Sequence, residues 1–137
     1  MNDARFWLLA TVGTTACMWM PYVLDRFARI GIPRTLGNPK RTDVDEQSAW
    51  AVRAKEAHAN AIENLAVFAP LSILSILLGL GGTPAVSTSS AIYFAVRLAH
   101  YAAYAAGVPV VRTLAFLTGF GAQVALLIAL ASAGVAS

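Results

Sequence analysis

Four long apolar segments limit what this chain can fold into. They cover about residues 6–24, 48–80, 90–106 and 110–133 of its 137 residues. A helix needs roughly 20 mostly apolar residues to cross a hydrocarbon core about 30 Å thick. In lipid a helix satisfies all of its own backbone hydrogen bonds, which an isolated strand does not. We therefore predict a single-domain, all-α integral membrane protein of four hydrophobic helices.

Charge is too scarce for a water-soluble domain. Charged residues make up 12% of the chain and hydrophobic residues 58%, whereas a soluble domain is about one quarter charged. The net charge is only +3, and no lysine- and arginine-rich face with interleaved aromatics is visible, so nucleic acid is not a predicted partner. The predicted partner is the lipid bilayer.

The single cysteine, Cys17, excludes an intrachain disulfide and a thiolate metal site, and its apolar neighbours predict a place in the core.

Short breaks separate the apolar segments. The first loop, about residues 25–47, contains four residues that interrupt regular structure: Gly31, Pro33, Gly37 and Pro39. A Gly-Gly-Thr-Pro sequence at 81–84 predicts the second turn, and Ser87 to Ser90 are N-cap candidates for the third helix. Gly-Val-Pro at 107–109 predicts the third turn. These breaks divide the chain into four helices that follow one another along the sequence.

The positive charges predict the orientation. Most of them lie in the first loop or open the second helix: Arg26, Arg29, Arg34, Lys40, Arg41, Arg53 and Lys55. Arg112 lies beside the third loop, whereas the second loop and the C-terminus carry no charge. Because cytoplasmic loops are enriched in Lys and Arg, we expect loops one and three in the cytoplasm and both termini outside. Cytoplasm-facing charge without an organelle-retention signal favours a bacterial inner membrane.

The second predicted helix carries polar residues where lipid demands apolar ones. At about 100° per residue, one stripe and its flanks contain Arg53, Glu56, Asn60, Glu63 and Asn64. Ionisable groups at membrane depth face a bundle interior or a wet cavity and mark functional sites. In a purely structural alternative, Glu63 pairs with an arginine of the bundle and Arg53 snorkels to the interface. His58 and Lys55 point away from the stripe, and we expect them to face solvent or headgroups.

The third predicted helix places a second polar group on one face. Its members are Tyr93, Arg97, His100, Tyr101 and Tyr104. We interpret Tyr93 and Tyr101 as packing or interface aromatics, whereas His100 and Tyr104 are candidate ligand contacts because they share their face with an arginine. The two histidines fall on different helices and no compact set of His and carboxylate ligands appears, so no metal site is predicted.

Two segments of the chain, AHANAIENLAVFAPL and RLAHYAAYAAGVPVVRTLAF, carry a family resemblance. They resemble the MAPEG family, the membrane-associated proteins of eicosanoid and glutathione metabolism, and the likeness extends from about Arg26 to the end of the chain. Its most specific part joins Asn60 and Glu63 to Arg97, His100, Tyr104 and Arg112. The family includes microsomal glutathione transferases, prostaglandin E synthase and leukotriene synthase.

The resemblance implies a left-handed four-helix bundle that assembles as a homotrimer. Glutathione would lie as co-substrate in a cleft between neighbouring subunits, near the cytoplasmic face, and a lipophilic second substrate would enter from the bilayer. Asn60 and Glu63 would hold the glutathione backbone, with Glu63 taking its amino group. His100 and Tyr104 would line the site.

The resemblance also assigns the cations of the site. Arg112 would lie beside the thiol as the catalytic residue, with Thr113 following it, and a nearby cation favours the thiolate nucleophile over the thiol. Arg26 or Arg29 would close the site from the first helix. Arg53 and Arg97 complete the predicted binding residues.

One position departs from the family pattern. Glutathione-using members commonly carry arginine four residues before the asparagine, where this chain has Glu56. Arginine binds a carboxylate bidentately, whereas glutamate repels it, and Arg53 could take the place of the missing arginine.

The predicted function is a membrane-embedded glutathione-dependent transferase or peroxidase acting on lipophilic electrophiles. The alternatives are a non-catalytic lipid-binding or scaffold member of the same fold and a small transporter component, although no broken helices or inverted repeats favour the latter.

Overall fold

The computed structural model describes residues 3–38, 40 and 42–135, and every regular element there is a helix. The helices are α1 (Ala4–Cys17), α2 (Met20–Ile30), α3 (Ile32–Leu36), α4 (Thr42–Glu46), α5 (Ala49–Leu77), α6 (Pro84–Ala106) and α7 (Pro109–Val135). The all-α prediction is confirmed. Pro39 and Arg41 of the first loop lie outside the described residues.

Three segments are long and apolar enough to cross a membrane, judged by length and composition. They are Ala4–Ile30 counted as one, Ala49–Leu77 and Pro109–Ala133. At about 1.5 Å per residue, each exceeds the roughly 30 Å hydrocarbon core. The 23-residue α6 is not among them, because its first turns are rich in serine and it carries Arg97 and His100. Its polar side is buried against the other helices.

The long helices pack around α6. It contacts α1, α5 and α7, and α5 also contacts α1 and α7. The buried core cluster contains Ala4, Phe68, Val86, Tyr93, Ala122 and Leu126. The Phe68 ring on α5 stacks on the Tyr93 ring of α6 with centroids 3.9 Å apart. Buried alanines on α5, among them Ala54 and Ala57, bring the helices close, as small residues do in membrane bundles.

The first apolar segment is broken near its middle. Pro21 has no backbone N–H, so the carbonyl of Cys17 loses its helical partner, and α1 ends there. The neighbouring carbonyl of Met18 accepts a hydrogen bond from Tyr101 Oη at 2.9 Å. The helical structure then continues to Ile30, beyond the predicted end near residue 24, because its polar last turns are held by the following loop. Cys17 is exposed, so its predicted place in the core was wrong.

The third long helix begins six residues before the predicted residue 90. Thr83 occupies the N-cap position and Pro84 the first turn, where its missing N–H leaves no helical bond unmade. Ser87 to Ser90 are therefore interior helical residues, and their prediction as N-caps was wrong. The helix ends at Gly107, whose φ of 76° lies in the left-handed region that glycine adopts without strain.

The loop between α2 and α5 is ordered by two carboxylates. Asp43, 1% exposed, accepts from Arg26 Nη2 at 2.8 Å, Arg34 Nη2 at 2.6 Å and the Lys40 N–H at 2.9 Å. The Lys40 N–H and the Arg34 guanidinium hold the pKa of the Asp43 carboxyl below its usual range. Asp25 accepts from the N–H and hydroxyl of Ser48 at the start of α5. Both carboxylates tie α2 to the segment that follows it.

Candidate functional site

The polar groups of α5 and α6 meet at Arg97. Its Nη2 donates to Asn60 Oδ1 at 2.8 Å. The residue is only 4% exposed, and its Nε and Nη1 have no hydrogen-bond partner in the described part of the chain. Arginine stays charged in proteins, and a buried charge is costly unless it is paired. Arg97 is therefore a buried cation, and two of its guanidinium nitrogens have no acceptor among the described residues.

Hydrogen bonds from amide side chains fix the orientation of Asn60 and of its neighbour Asn64. Asn64 Nδ2 donates to the Asn60 carbonyl at 2.9 Å and to its Oδ1 at 3.3 Å. Gln123 of α7 donates from Nε2 to the carbonyl of Asn64 at 3.0 Å. Gln123 was not a predicted site residue. The one sequence signal for it is an amide side chain in an otherwise apolar helix.

His100, Tyr104 and Arg112 form a second group where α6 meets α7. The Arg112 guanidinium lies over the Tyr104 ring, with Cζ 4.6 Å from its centroid, which is a cation–π geometry. The His100 ring meets Tyr104 edge-on at 5.7 Å and Phe116 of α7 at 6.3 Å, centroid to centroid. His100 is buried, and its Nδ1 has no partner among the described residues. Thr113 is exposed, and its hydroxyl donates to the carbonyl of Pro109.

Glu63 is an exposed carboxylate on the apolar stretch of α5. No ion pair or side-chain hydrogen bond engages it in residues 3–38, 40 and 42–135. The structural alternative in which Glu63 pairs with Arg97 or Arg112 is therefore not found among the described residues of the chain. Glu56 is likewise exposed and forms no ion pair within those ranges. Both carboxylates are available to a ligand or to a second chain.

Arg53 closes the C-terminal end of α6. Its Nε donates to the carbonyl of Ala105 at 3.0 Å. A Cβ placed on Gly107 would lie 3.3 Å from Arg53 Cζ and Nε, so the guanidinium packs directly on the turn. A cation at a helix C-terminus is favourable because the last carbonyls point toward it. Arg53 thus has a structural contact that its place in the α5 stripe did not predict.

The two arginines assigned to the first helix lie on α2 and form ion pairs with aspartates there and in the following loop. Arg26 binds Asp43, and Arg29 Nε lies 3.9 Å from Asp25 Oδ1. Across the described chain, neither contacts Asn60 or Tyr104 through a hydrogen bond or ring contact. His58 is half-buried, with Nδ1 3.0 Å from Tyr22 Oη, rather than facing solvent as expected. Lys55 is exposed.

The family of the chain follows from its whole sequence. The sequence model of the MAPEG family matches residues 5–132, nearly the whole chain. The chain belongs to the MAPEG family. Searches of curated proteins and of solved structures gave no significant match. The resemblance stated from the α5 and α6 segments is confirmed.

In this MAPEG protein the predicted residues do not form a single cluster. Asn60 and Arg97 are bonded inside the bundle, and His100, Tyr104 and Arg112 adjoin where α6 meets α7. Glu63 and Thr113 are exposed on α5 and α7, Arg53 closes α6, and Arg26 and Arg29 belong to the loop contacts. Tyr93 stacks on Phe68, and Tyr101 donates a hydrogen bond to the Met18 carbonyl, contacts that suit the predicted packing or interface aromatics.

Proposed function

We propose that this MAPEG protein is a glutathione-dependent transferase or peroxidase that acts on lipophilic electrophiles within the membrane. One observation carries the proposal: Arg97, Arg112 and Glu63 form no ion pair with one another in the described chain. Unpaired charges at membrane depth are costly and mark sites for polar ligands. Glutathione carries two carboxylates, one ammonium group and a thiol, so it complements this set of charges.

Each residue has a role that fits its surroundings. Glu63 would accept the ammonium group, and Asn60, oriented by Arg97 and Asn64, would bond the peptide backbone. His100, Tyr104 and Thr113 would line the site. Arg53, with Arg26 or Arg29 from α2, would supply positive charge for the carboxylates. These assignments place the tripeptide between the exposed face of α5 and the junction of α6 with α7.

Arg112 is the proposed catalytic residue. A free thiol has a pKa near 8.5 and is mostly protonated at neutral pH, and a neighbouring cation favours the thiolate. Stacking on Tyr104 fixes the position of the Arg112 guanidinium. In a transfer reaction the thiolate electron pair forms a bond to the electrophilic carbon, and the leaving group departs with the electrons of the broken bond. In a peroxidase reaction the thiolate attacks the terminal oxygen of a hydroperoxide, the O–O bond breaks, and the other oxygen leaves with the bonding electrons and is protonated to an alcohol. The sulfenic acid formed on glutathione then reacts with a second glutathione thiol to give the disulfide and water.

We further propose that four helical spans form a left-handed bundle and that three protomers assemble. Supporting this, α6 buries its polar side against three helices that are each apolar enough to span. The exposure of Glu63 and Thr113 suits a cleft completed by a neighbouring subunit. Chemical cross-linking in mild detergent should stop at trimers, and a monomer by light scattering would contradict the assembly.

The proposed orientation places the loop between α2 and α5 in the cytoplasm. In a Cys17→Ser background, a cysteine at Thr42 should be labelled by an impermeant maleimide only from the cytoplasmic side. A cysteine at Gly82, in the exposed turn between α5 and α6, should be labelled only from outside. The reverse pattern would place the site in the wrong compartment.

Glutathione-affinity capture of the detergent-solubilised protein tests the proposed function. Wild type should be retained and eluted by free glutathione, whereas Glu63→Gln should be retained poorly because the ammonium contact is lost. The substitution at Glu56 favours a second candidate, a non-catalytic lipid-binding member of the fold. Failure to retain wild type would make that candidate the better account. The transporter hypothesis gains nothing from the break after α1, because Tyr101 satisfies the carbonyl of Met18 there.

A further inference from the structure

A cavity of about 360 Å³ lies beside the loop between α2 and α5. Its walls come from the end of α2, the turn after α3 and the first turns of α5, and they include Tyr22, Arg26, Phe27, Leu36, Gln47 and Lys55. Only Arg26 is shared with the residues proposed to bind glutathione. We name this space the loop cavity.

The loop cavity faces a different side of α5 from the proposed active site. Lys55 and Asn60 are five residues apart, which corresponds to about 140° around a helix of 3.6 residues per turn. Tyr22, which lines the cavity, is hydrogen-bonded to His58, so this wall packs against α2. The loop cavity and the Asn60 side chain therefore lie on different faces of α5.

The lining of the loop cavity combines positive charge with apolar surface. Arg26 and Lys55 are its charged residues, and no carboxylate side chain is in the lining. Arg26 forms an ion pair with Asp43, and Arg34, which also contacts Asp43, forms a further ion pair with Glu46. Lys55 has no ion pair or hydrogen bond with any described residue. An anionic group would pair with the Lys55 ammonium, and its apolar part could pack on Phe27 and Leu36.

The position of the cavity selects the kind of anion. It lies where the spans Ala4–Ile30 and Ala49–Leu77 meet the polar loop. Ile32 and Leu36 of α3 are 61% and 74% exposed, which suits contact with the bilayer interface. Basic pockets between transmembrane helices bind anionic lipid headgroups. We propose that the loop cavity binds the phosphate group of an anionic phospholipid, with Lys55 as its cation and Phe27 and Leu36 against the start of the acyl chains.

Native mass spectrometry of the delipidated protein in detergent tests this proposal. Phosphatidylglycerol is titrated against phosphatidylcholine, and Lys55→Gln is compared with Lys40→Gln. Lys40 is the other lysine of the chain and is exposed on the same loop, outside the cavity lining. Wild type and Lys40→Gln should retain phosphatidylglycerol equally, and Lys55→Gln should bind it about fivefold more weakly, the effect expected of one basic residue near an anionic lipid.

A second measurement locates the lipid independently of the variants. Photoactivatable phosphatidylglycerol should cross-link to peptides containing Phe27 or Leu36, and free inorganic phosphate should not displace it. Equal loss of binding in both lysine variants, or cross-links confined to α7, would overturn the proposal. Displacement by inorganic phosphate alone would assign the cavity to a free anion instead. Glutathione capture is measured in parallel, and its failure would leave the lipid result unaffected.

Discussion

Asn60 Oδ1 accepts a hydrogen bond from Arg97 Nη2 across 2.8 Å, and this bond joins α5 to α6 inside the bundle. Arg97 has no carboxylate partner within the described residues. The neutral Asn60 amide is therefore the one side-chain acceptor of the buried Arg97 guanidinium among the described residues. The site keeps a cation that is held in place without being neutralised.

Asn60→Ala should destabilise the protein by about 1–3 kcal/mol, because a buried donor loses its acceptor. Asn60→Asp should retain the stability of wild type, since the carboxylate still accepts from Arg97. The free energies of unfolding in mixed detergent provide the measurement. Asn64→Ala is the matched control, because it leaves the Asn60 oxygen in place, and its loss should be smaller. Equal stability of Asn60→Ala and Asn60→Asp would show that the bond contributes nothing.

Gly107→Ala should destabilise the protein by about 1–2 kcal/mol, the cost of the left-handed conformation for a residue with a Cβ. The added Cβ would also lie 3.3 Å from Arg53 Cζ, so the cap on Ala105 must shift. Gly121→Ala on α7 is the control, because a Cβ there meets nothing within 4 Å. Alanine should be neutral or stabilising at that helical position. A Gly107→Ala protein as stable as wild type would contradict the described turn.

The presence of the long helices and the polar faces of α5 and α6 could be predicted from the sequence, because apolar length and helical periodicity are local properties. The Asn60–Arg97 bond follows from two such faces meeting. By contrast, Arg53 binds a backbone carbonyl 52 residues away, and no sequence pattern marks a carbonyl as unpaired. The start of α6 was misplaced because its serine-rich first turns are buried against other helices instead of facing lipid.

The loop was the least predictable part of the fold. Its glycines and prolines indicated breaks, yet Arg26, Arg34 and Asp43 come together through side chains from separate helices. The positive-inside pattern treats these arginines as topology signals alone. One buried carboxylate gives two of them a structural role, because Arg26 and Arg34 both form ion pairs with Asp43.

Acidification should loosen this loop. Because the pKa of Asp43 is lowered in the folded protein, its contribution to stability is complete above the unfolded value of about 3.9. That contribution is lost as the pH falls from there through the folded-state pKa. Asp43→Asn should therefore lose stability at pH 7 and show a weaker decline in Tm between pH 6 and pH 3 than wild type. Asp45→Asn, an exposed neighbour on α4, should behave like wild type, and identical pH profiles for all three proteins would contradict the role of Asp43.

Glu56→Arg should tighten glutathione binding about 5- to 150-fold, the range of 1–3 kcal/mol for a hydrogen bond to a charged group. Glu56→Gln separates the loss of repulsion from the gain of a cation and should give a smaller improvement. Isothermal titration calorimetry measures both. Unchanged affinity in the arginine variant of a protein that already binds glutathione would show that position 56 faces away from the ligand.

The central claim is that Arg112, held on the Tyr104 ring, stabilises a glutathione thiolate. Its most direct test is the thiolate absorbance of bound glutathione titrated against pH in wild type, Arg112→Lys, Arg112→Ala and Glu63→Gln. Arg112→Ala should raise the pKa of the bound thiol by about one to two, since each pKa unit corresponds to roughly 1.4 kcal/mol. Its turnover of an aromatic electrophile should fall about 100-fold, with most of the binding kept, while Arg112→Lys retains part of the effect. Glu63→Gln should weaken binding and leave the thiol pKa unchanged. A wild-type protein that never forms a thiolate, or an Arg112→Ala protein that titrates like wild type, would contradict the account.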